Sequence, residues 1–197
     1  MKRIILFILV FLLIGCVYAS DFSKVTVNRV DFEIPNEYSS GDTMKGKYVY
    51  NDLRTFAILC VDDYIVANYG GFYDIADDSS DLSIDGRPAR LLTMYNNYID
   101  KNVSYLYFPV NRSVYCICYQ GNDVNESISH IVESASSSEM SSDTFYGLLD
   151  ETYKAHEDRQ YLDTLSKDYS DYVSKTNQHQ DTSGDRLVKW YLLSHSR

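Results

Sequence analysis

The sequence predicts an α+β fold, in which an antiparallel β-sheet of five to seven strands carries one packing helix and a helical C-terminal appendage. Three observations support this class. Residues 103–119 contain two runs rich in β-branched and aromatic residues around a turn, which indicates a β-hairpin. The apolar residues of 123–135 follow helical spacing. A serine-rich, low-complexity stretch at 136–142 then separates this body from a charged tail, 143–197, with helical periodicity.

Ahead of this hairpin, the chain shows further strand patterns. Residues 25–34 alternate between apolar and polar side chains, which predicts one first strand that ends at Pro35. A polar loop is expected over 36–47, followed by a short strand at 48–50. The continuous apolar run at 54–61 predicts a central strand that is buried on both faces.

The acidic stretch 62–85 contains seven aspartates and no basic residue, and it has two interpretations. The motif Asp81-x-Ser83-x-Asp85-Gly86 is similar to the start of a calcium loop, but Leu92 stands at the twelfth position, where a glutamate is needed. The alternative is a solvated loop followed by a β-hairpin that turns at Asp85-Gly86, a favoured two-residue turn. The adjacent glycines Gly70-Gly71 are interpreted as a flexible turn.

The central hairpin is expected to pair residues 103–108 with 113–119, and Pro109, which has no N–H to donate, should end its first strand. Because side chains alternate across a strand, we predict one apolar face and one tyrosine face. The apolar face would consist of Leu106, Phe108, Val114, Cys116 and Cys118, and the tyrosine face of Tyr105, Tyr107, Tyr115, Ile117 and Tyr119. Either the chain's own tail or another molecule should cover the tyrosine face, since buried hydroxyls need partners.

A helix over 123–135 is predicted to begin at the N-cap Asn122-Asp123 and to lie on the face that carries Leu106 and Cys116. Its apolar stripe is formed by Val124, Ile128, Ile131 and Val132. In the tail, Asp143 is expected to cap a second helix, whose pattern is interrupted at 156–159. Beyond that point, a seam at spacings of three and four contains Leu162, Leu165, Tyr169, Tyr172 and Thr176. A last apolar segment after Asp185 contains the only tryptophan and is expected to dock on another surface.

Residues 1–19 are predicted to be a secretory signal peptide, so that residues 20–135 form the α+β domain of the mature chain. Two positive residues precede the apolar run 4–14, and Val17-Tyr18-Ala19 offers small-residue cleavage. The run is short for a membrane span, which needs about 20 residues. Alternatively, Leu13-Ile14-Gly15-Cys16 is a lipobox, whose Cys16 would carry a lipid anchor. Both interpretations predict a secreted or cell-surface protein that contacts the membrane only through this signal or anchor.

The net charge is −10, which argues against nucleic acid as a partner, because phosphate neutralisation requires a basic surface. Three sequons begin at Asn102, Asn111 and Asn125, and they make this acidic, tyrosine-rich chain a candidate glycoprotein.

The chain contains no established catalytic, phosphate-binding or metal motif, so no cofactor or metal is predicted. His130 is interpreted as a histidine at the edge of the 123–135 helix. A nucleophilic Cys116 or Cys118 activated by His130 is the alternative, although apolar burial would make either thiol inert. The cysteines are expected to be small core residues, and a disulfide from Cys60 to one of the other two is the second interpretation.

The sequence therefore predicts an exported, non-enzymatic module that binds an envelope protein or a glycan. Its candidate binding surface consists of Tyr105, Tyr107, Tyr115 and Tyr119, since tyrosine-rich surfaces often bind partners. One alternative is a cell-envelope hydrolase with an unrecognised active site, in which His130, a cysteine or two carboxylates converge. Another is a structural protein that self-associates through the C-terminal helix.

Several segments together resemble an uncharacterised family of small secreted proteins of methanogenic archaea. They are Phe32-Glu-Ile-Pro35, the strand at 54–61, the Asp85-Gly86 hairpin, residues 105–119 and the helix that ends in Ile131-Val-Glu-Ser134. Their order is loosely similar to that of PsbP-like sandwiches, which implies an antiparallel sheet with helices on its faces. The resemblance covers about residues 25–135 and implies no catalytic residues, and the tail from Ser136 departs from the PsbP-like pattern.

Overall fold

The computed structural model describes residues 22–39, 42–44, 48–50, 56–136 and 138–177. The predicted signal peptide, the lipidation candidate Cys16 and the segment from residue 178 onward lie outside these residues. Within the described ranges, no helix has both the length and the apolar character that crossing a bilayer requires.

The described residues form nine strands and three α-helices. The strands are β1 (Phe22–Val27), β2 (Val30–Pro35), β3 (Asp42–Met44), β4 (Tyr48–Tyr50), β5 (Phe56–Cys60), β6 (Asp78–Ile84), β7 (Arg87–Asn96), β8 (Lys101–Val110) and β9 (Ser113–Gln120). The α-helices are α1 (Gly71–Ile75), α2 (Glu126–Ser134) and α3 (Ser142–Asn177). Short 3₁₀ turns lie at Asn36–Tyr38 and Asp62–Tyr64, and a π-helical turn lies at Val66–Gly70.

These elements confirm the predicted α+β class. Strands β3 to β9 form an antiparallel sheet in the spatial order β3-β4-β5-β9-β8-β7-β6, and β1 and β2 form a separate hairpin. The predicted inner strand at 54–61 corresponds to β5, which lies between β4 and β9. Phe56, Ile58 and Cys60 are buried on one side of β5, whereas Ala57 and Leu59 are half-buried on the other.

The prediction of one strand over residues 25–34 is wrong, because the chain reverses in the middle of this run. Asn28 and Arg29 adopt φ values of 46° and 69°, and Val27 pairs with Val30 across the turn. Two consecutive residues in the left-handed region match the twist of the flanking strands, which makes a two-residue hairpin loop favourable. The turn leaves Val27, Val30 and the apolar residues of β2 on the core side.

The central hairpin is confirmed, but Pro109 does not end its first strand. The strand β8 continues to Val110, which pairs with Ser113 across the loop Asn111-Arg112, and Pro109 pairs with Val114. On the other edge of β8, the ladder with β7 ends at Tyr107 and Arg90. Pro109 lies beyond that ladder, so its missing N–H costs no bond to β7.

The predicted division of the hairpin into an apolar face and a tyrosine face is wrong. Leu106 lies opposite Ile117, and Tyr107 lies opposite Cys116. Directly opposed residues share a face. Because the loop has an even number of residues, even-numbered positions of β8 lie opposite odd-numbered positions of β9. One face therefore carries Leu106, Phe108, Tyr115, Ile117 and Tyr119, and the other carries Tyr105, Tyr107, Val114, Cys116 and Cys118.

Helix α2 covers the first of these faces, which we call the α2 face. Ile128, Ile131 and Val132 are buried there together with residues of the β1–β2 hairpin, as the predicted apolar stripe required. The N-cap is Asn125 rather than Asn122-Asp123, since its side-chain oxygen accepts a hydrogen bond from the Ile128 N–H at 3.0 Å. The expectation that this helix also covers Cys116 is wrong, because Cys116 points to the other face.

The other face, the α3 face, is covered by the start of the predicted tail helix and by helical turns that the sequence did not indicate. Residues 62–75 form consecutive 3₁₀, π and α turns, so the interpretation of Gly70-Gly71 as a flexible turn is wrong. Helix α3 crosses these turns, and a Cβ on Gly70 would overlap the side chain of His156. A glycine at position 70 therefore lets the two helical segments approach closely.

Helix α3 is continuous over 36 residues, without the expected interruption at 156–159. It begins one residue before Asp143, and the Ser141 hydroxyl oxygen accepts a hydrogen bond from the Thr144 N–H at 3.3 Å. Its first turns bury Phe145 and Leu149 on the α3 face. The first turns of the tail helix are therefore part of the core of the body.

Candidate functional site

The four tyrosines predicted to form a binding surface do not form one. Tyr115 and Tyr119 lie on the α2 face, whereas Tyr105 and Tyr107 lie on the α3 face. Tyr107, Tyr115 and Tyr119 are buried, and Tyr105 is half-buried. The tyrosine-surface hypothesis is therefore wrong, because the parity of the strand pairing distributes the rings over two cores.

The chain itself covers the tyrosines of the α3 face. The Tyr107 hydroxyl donates to the Asn68 side chain at 2.9 Å, and the rings of Tyr107 and Tyr69 meet edge to face at 5.0 Å. The ring of Tyr105 stacks on that of Phe72 at 3.9 Å. Burial raises the pKa of Tyr69 to about 12 and that of Tyr107 well above its ordinary value. These phenols act as neutral core side chains.

The cysteine–histidine pair is not assembled. Cys116 and Cys118 project from the α3 face, whereas His130 lies on α2 across the sheet. Burial raises the pKa of Cys116 well above its ordinary value and that of Cys118 to about 11, so both thiols are poor nucleophiles. Cys60, Cys116 and Cys118 are all free, and the alternative of a disulfide from Cys60 is therefore wrong.

The calcium-loop alternative is also wrong. Asp85 and Gly86 form the predicted hairpin turn, with φ values of 48° and 76°, and Ile84 pairs with Arg87 across it. The carboxylate of Asp81 accepts a hydrogen bond from Arg90 at 2.7 Å instead of facing Ser83 and Asp85 in a common loop. In the part of the chain that the structure describes, no three His, Cys, Asp or Glu side chains are grouped as metal ligands.

His130 instead borders a groove between α2 and the start of the β1–β2 hairpin. The groove measures about 590 Å³, which is within the range of small-ligand sites. We call it the α2 groove. It is lined by Phe22, Pro35, Asn36, Glu37, Glu126, Ser127 and His130.

Two helix termini position the polar side chains of the α2 groove. The N-cap Asn125 places Glu126 and Ser127 on the first turn of α2, where backbone N–H groups favour an acidic residue. On the opposite wall, Pro35 ends β2 and leads into the 3₁₀ turn that presents Asn36 and Glu37. The groove thus combines carboxylates, an amide and a hydroxyl, all of which form hydrogen bonds with polar ligands.

His130 joins the two walls of the α2 groove. Its Nε2 lies 2.9 Å from Glu33 Oε2, and its ring centroid lies 4.0 Å from that of Phe22. The predicted position of His130 at a helix edge is confirmed, since its side chain is 38% exposed.

Sequence reasoning identified His130 but missed the groove around it. Its lining residues come from two stretches about a hundred positions apart, and neither stretch carries a catalytic or ligand-binding motif. The available signal was the hairpin turn at Asn28-Arg29. Recognising that turn would have brought Phe22 and Pro35 together, since they pair at the end of the β1–β2 ladder.

The three sequon asparagines lie in different settings. Asn111 and Asn125 are exposed, at the β8–β9 loop and at the start of α2, respectively. Asn102 is half-buried within β8, and its carbonyl accepts a hydrogen bond from the Gly121 N–H at 2.9 Å. Asn111 and Asn125 therefore remain glycosylation candidates with accessible side chains.

The chain matches no protein-family model and no curated protein sequence.

Proposed function

We propose that this protein is an exported, non-enzymatic module that binds a glycan of the cell envelope in the α2 groove. The observation that carries the proposal is the composition of this groove, where the ring of Phe22 adjoins hydrogen-bonding side chains on two walls. A sugar presents both a C–H face and hydroxyl groups, so an aromatic side chain with carboxylates and an amide suits it.

The charge of the α2 groove favours a neutral glycan. Glu37 and Glu126 line it, and Glu33 adjoins it through His130. Like charges repel, so a sulfated, phosphorylated or uronate-rich glycan would bind poorly. A protein partner is the less favoured occupant, because a stable protein interface needs about 800 Å² on each side, whereas this site is a local groove.

The binding experiment uses the mature chain and an array of neutral oligosaccharides, followed by calorimetry on those that bind. Phe22→Ala and Glu126→Gln are each expected to weaken binding by about tenfold or more, which corresponds to roughly 1.4 kcal/mol. The matched controls are Tyr98→Ala, which removes an exposed ring from another turn, and Glu151→Gln, which removes an exposed carboxylate from α3. No binding by the wild type, or equal losses in the controls, would overturn the proposal.

A hydrolase is the second candidate, and one observation favours it. His130 and Glu33 form a hydrogen-bonded pair at the edge of a groove that contains two further carboxylates, and such groups can act as general acids and bases. Incubation of the same oligosaccharides with wild type and His130→Asn separates the two functions. Cleavage products that His130→Asn fails to form would support the hydrolase, whereas binding without cleavage supports the module.

The export part of the proposal has a separate readout. Mass spectrometry of the protein recovered from its own cells gives the first residue of the mature chain. A mature chain that begins at Ser20 supports signal cleavage, and one that begins at a lipid-modified Cys16 supports an anchor. A chain that still begins at Met1 contradicts export.

A further inference from the structure

The segment that joins α2 to α3 runs past the turn between β8 and β9. We call this segment, residues 135–141, the connector. The Glu139 N–H donates a hydrogen bond to the Asn111 carbonyl oxygen at 3.0 Å, and Ser138 forms a parallel β-bridge with Asn111. Arg112 of the same turn bonds to the Glu139 carboxylate at 2.8 Å. The β8–β9 turn therefore holds the connector in place.

The composition and exposure of the connector make it a target for proteases. Four of its seven residues are serines, and Ser136, Glu139 and Ser141 are exposed. Exposed segments of small polar residues are preferred sites of proteolytic cleavage. A cut here would break the covalent link between the sheet and α3, whose Phe145 and Leu149 are buried on the α3 face. Protection of the connector would therefore preserve the α3 face.

The exposed side chain of Asn111 offers one atom for modification beside the connector. Its Oδ1 accepts a hydrogen bond from the Ser136 hydroxyl at 3.5 Å, whereas its Nδ2 forms no hydrogen bond to the residues that the structure describes. Asn111-Arg112-Ser113 is a sequon, and Nδ2 is the atom that receives the sugar in N-glycosylation. Because Oδ1 stays an acceptor, a sugar on Nδ2 is compatible with the contact to Ser136.

We infer that Asn111 carries an N-linked oligosaccharide, which shields the connector from proteolysis. In the transfer, a bond forms between Asn111 Nδ2 and C1 of the first sugar. The bond from C1 to the phosphate oxygen of a lipid-linked oligosaccharide donor breaks, and the lipid phosphate and one amide proton leave. This inference rests on the proposed export, because sequons are modified in secreted chains.

The other two sequons are less suitable for a sugar. Asn102 is half-buried within β8, which lies between β7 and β9. Asn125 caps α2 two positions before Ser127, which lines the α2 groove, so a sugar on Asn125 would stand against the proposed binding site. Asn111 contacts Ser136, just beyond the opposite end of α2, and its sugar would leave the groove open.

Mass spectrometry of peptides from the protein recovered from its own cells tests the modification. We expect an added oligosaccharide mass on the peptide that contains Asn111, and loss of this mass in both Asn111→Asp and Ser113→Ala. Aspartate is tolerated at the left-handed φ of 53° found at position 111. Ser113→Ala removes the sequon and keeps the asparagine with its contacts. A wild-type chain with an unmodified Asn111 would overturn the inference.

Limited proteolysis of the same proteins tests the shielding. We expect cleavage within the connector to be severalfold faster in Asn111→Asp and Ser113→Ala than in the wild type. The matched control is Asn125→Asp, which removes another sequon, keeps a side-chain oxygen at the N-cap of α2 and should be cleaved at the wild-type rate. Cleavage of Ser113→Ala at the wild-type rate, or equally fast cleavage of the control, would overturn the shielding role.

The first residue of the same samples separates this inference from the proposed function. A chain that begins at Ser20 or Cys16 and has an unmodified Asn111 rejects the glycan alone, whereas an unmodified chain that begins at Met1 rejects export as well. Sugar binding in the α2 groove is measured independently, and we expect the same affinity with and without the sugar on Asn111.

Discussion

Arg90 connects the sheet to the helices on the α3 face. Its side chain projects from β7, is only 11% exposed, and bonds to the carboxylates of Asp81 and Asp150 at 2.7 and 2.8 Å. It also donates to the Tyr69 hydroxyl at 2.9 Å and lies over the ring of Tyr146 at 5.3 Å. Burial alone would lower the pKa of Arg90, but these partners raise it, so the guanidinium remains charged.

Asp74 is the side chain through which α1 holds α3. Its carboxylate accepts hydrogen bonds from Gln160 at 2.7 Å and from His156 at 3.0 Å, two positions one turn apart on α3. Burial acts to raise the pKa of Asp74, but the hydrogen bonds from Gln160, His156 and Tyr153 outweigh it and hold the pKa below the ordinary value of 3.8.

This lowered pKa predicts a pH-dependent effect of Asp74→Asn. A carboxylate whose pKa is lower in the folded state stabilises the fold above its unfolded pKa, and the stabilisation is lost as the pH falls through the folded pKa. We expect Asp74→Asn to reduce the free energy of unfolding by about 1 kcal/mol at neutral pH, the usual size for one hydrogen-bonded group. The difference from the wild type should shrink below pH 3.8.

Urea denaturation at a series of pH values measures this difference. Asp78→Asn, at an exposed carboxylate on β6, is the control and should change the free energy of unfolding little at any pH. If the free energy of unfolding of Asp74→Asn stays below that of the wild type by the same amount down to pH 2, the ionised carboxylate is not the stabilising species.

At the scale of elements, the close crossing of α3 over the π-helical turn depends on the absence of a side chain at Gly70. We expect Gly70→Ala to lower the free energy of unfolding by about 1–3 kcal/mol, because the added methyl group would force the two segments apart. The neighbouring Gly71 has no atom within 4 Å of an added Cβ. Gly71→Ala should therefore be neutral or stabilise by roughly 0.5–1 kcal/mol, since alanine favours helix.

The midpoints of thermal unfolding of Gly70→Ala, Gly71→Ala and the wild type test this difference between two adjacent positions. Similar midpoints for both variants would contradict the close crossing, because Gly71 offers the same helix propensity without the contact.

At the scale of the molecule, the two sides of the sheet depend on different parts of the chain. The α2 face is covered by residues from within the predicted domain 20–135, whereas the α3 face buries Tyr107 and Cys116 under Phe145 and Leu149. Each buried side chain contributes roughly 1.5–3 kcal/mol, and the net stability of a domain is about 5–15 kcal/mol. The start of the tail is therefore part of the folding unit.

We expect a chain truncated to residues 20–135 to lose cooperative unfolding and to bind a hydrophobic dye, because its α3 face would be exposed. A chain of residues 20–171 keeps Phe145 and Leu149 and should unfold cooperatively. Circular dichroism and dye fluorescence on both chains test this. Cooperative unfolding of the shorter chain would show that the boundary at 136–142 separates independent units.

Local patterns in the sequence were sufficient to predict much of the fold. Period-two alternation and turn residues identified the β8–β9 and Asp85-Gly86 hairpins, and the helical spacing of Ile128, Ile131 and Val132 identified the buried side of α2. Each of these features depends on residues within a few positions of one another. The chain therefore encodes them without reference to distant segments.

Only the tertiary structure decided which residues share a surface. The pairing of Tyr107 with Cys116 placed the tyrosines in two cores, and the contact of Glu33 with His130, 97 positions apart, closed the α2 groove. Alternation determines the two sides of one strand, but the relation between strands depends on loop length and on packing across the sheet. These long-range choices determine the candidate site, because its walls come from segments that no local pattern connects.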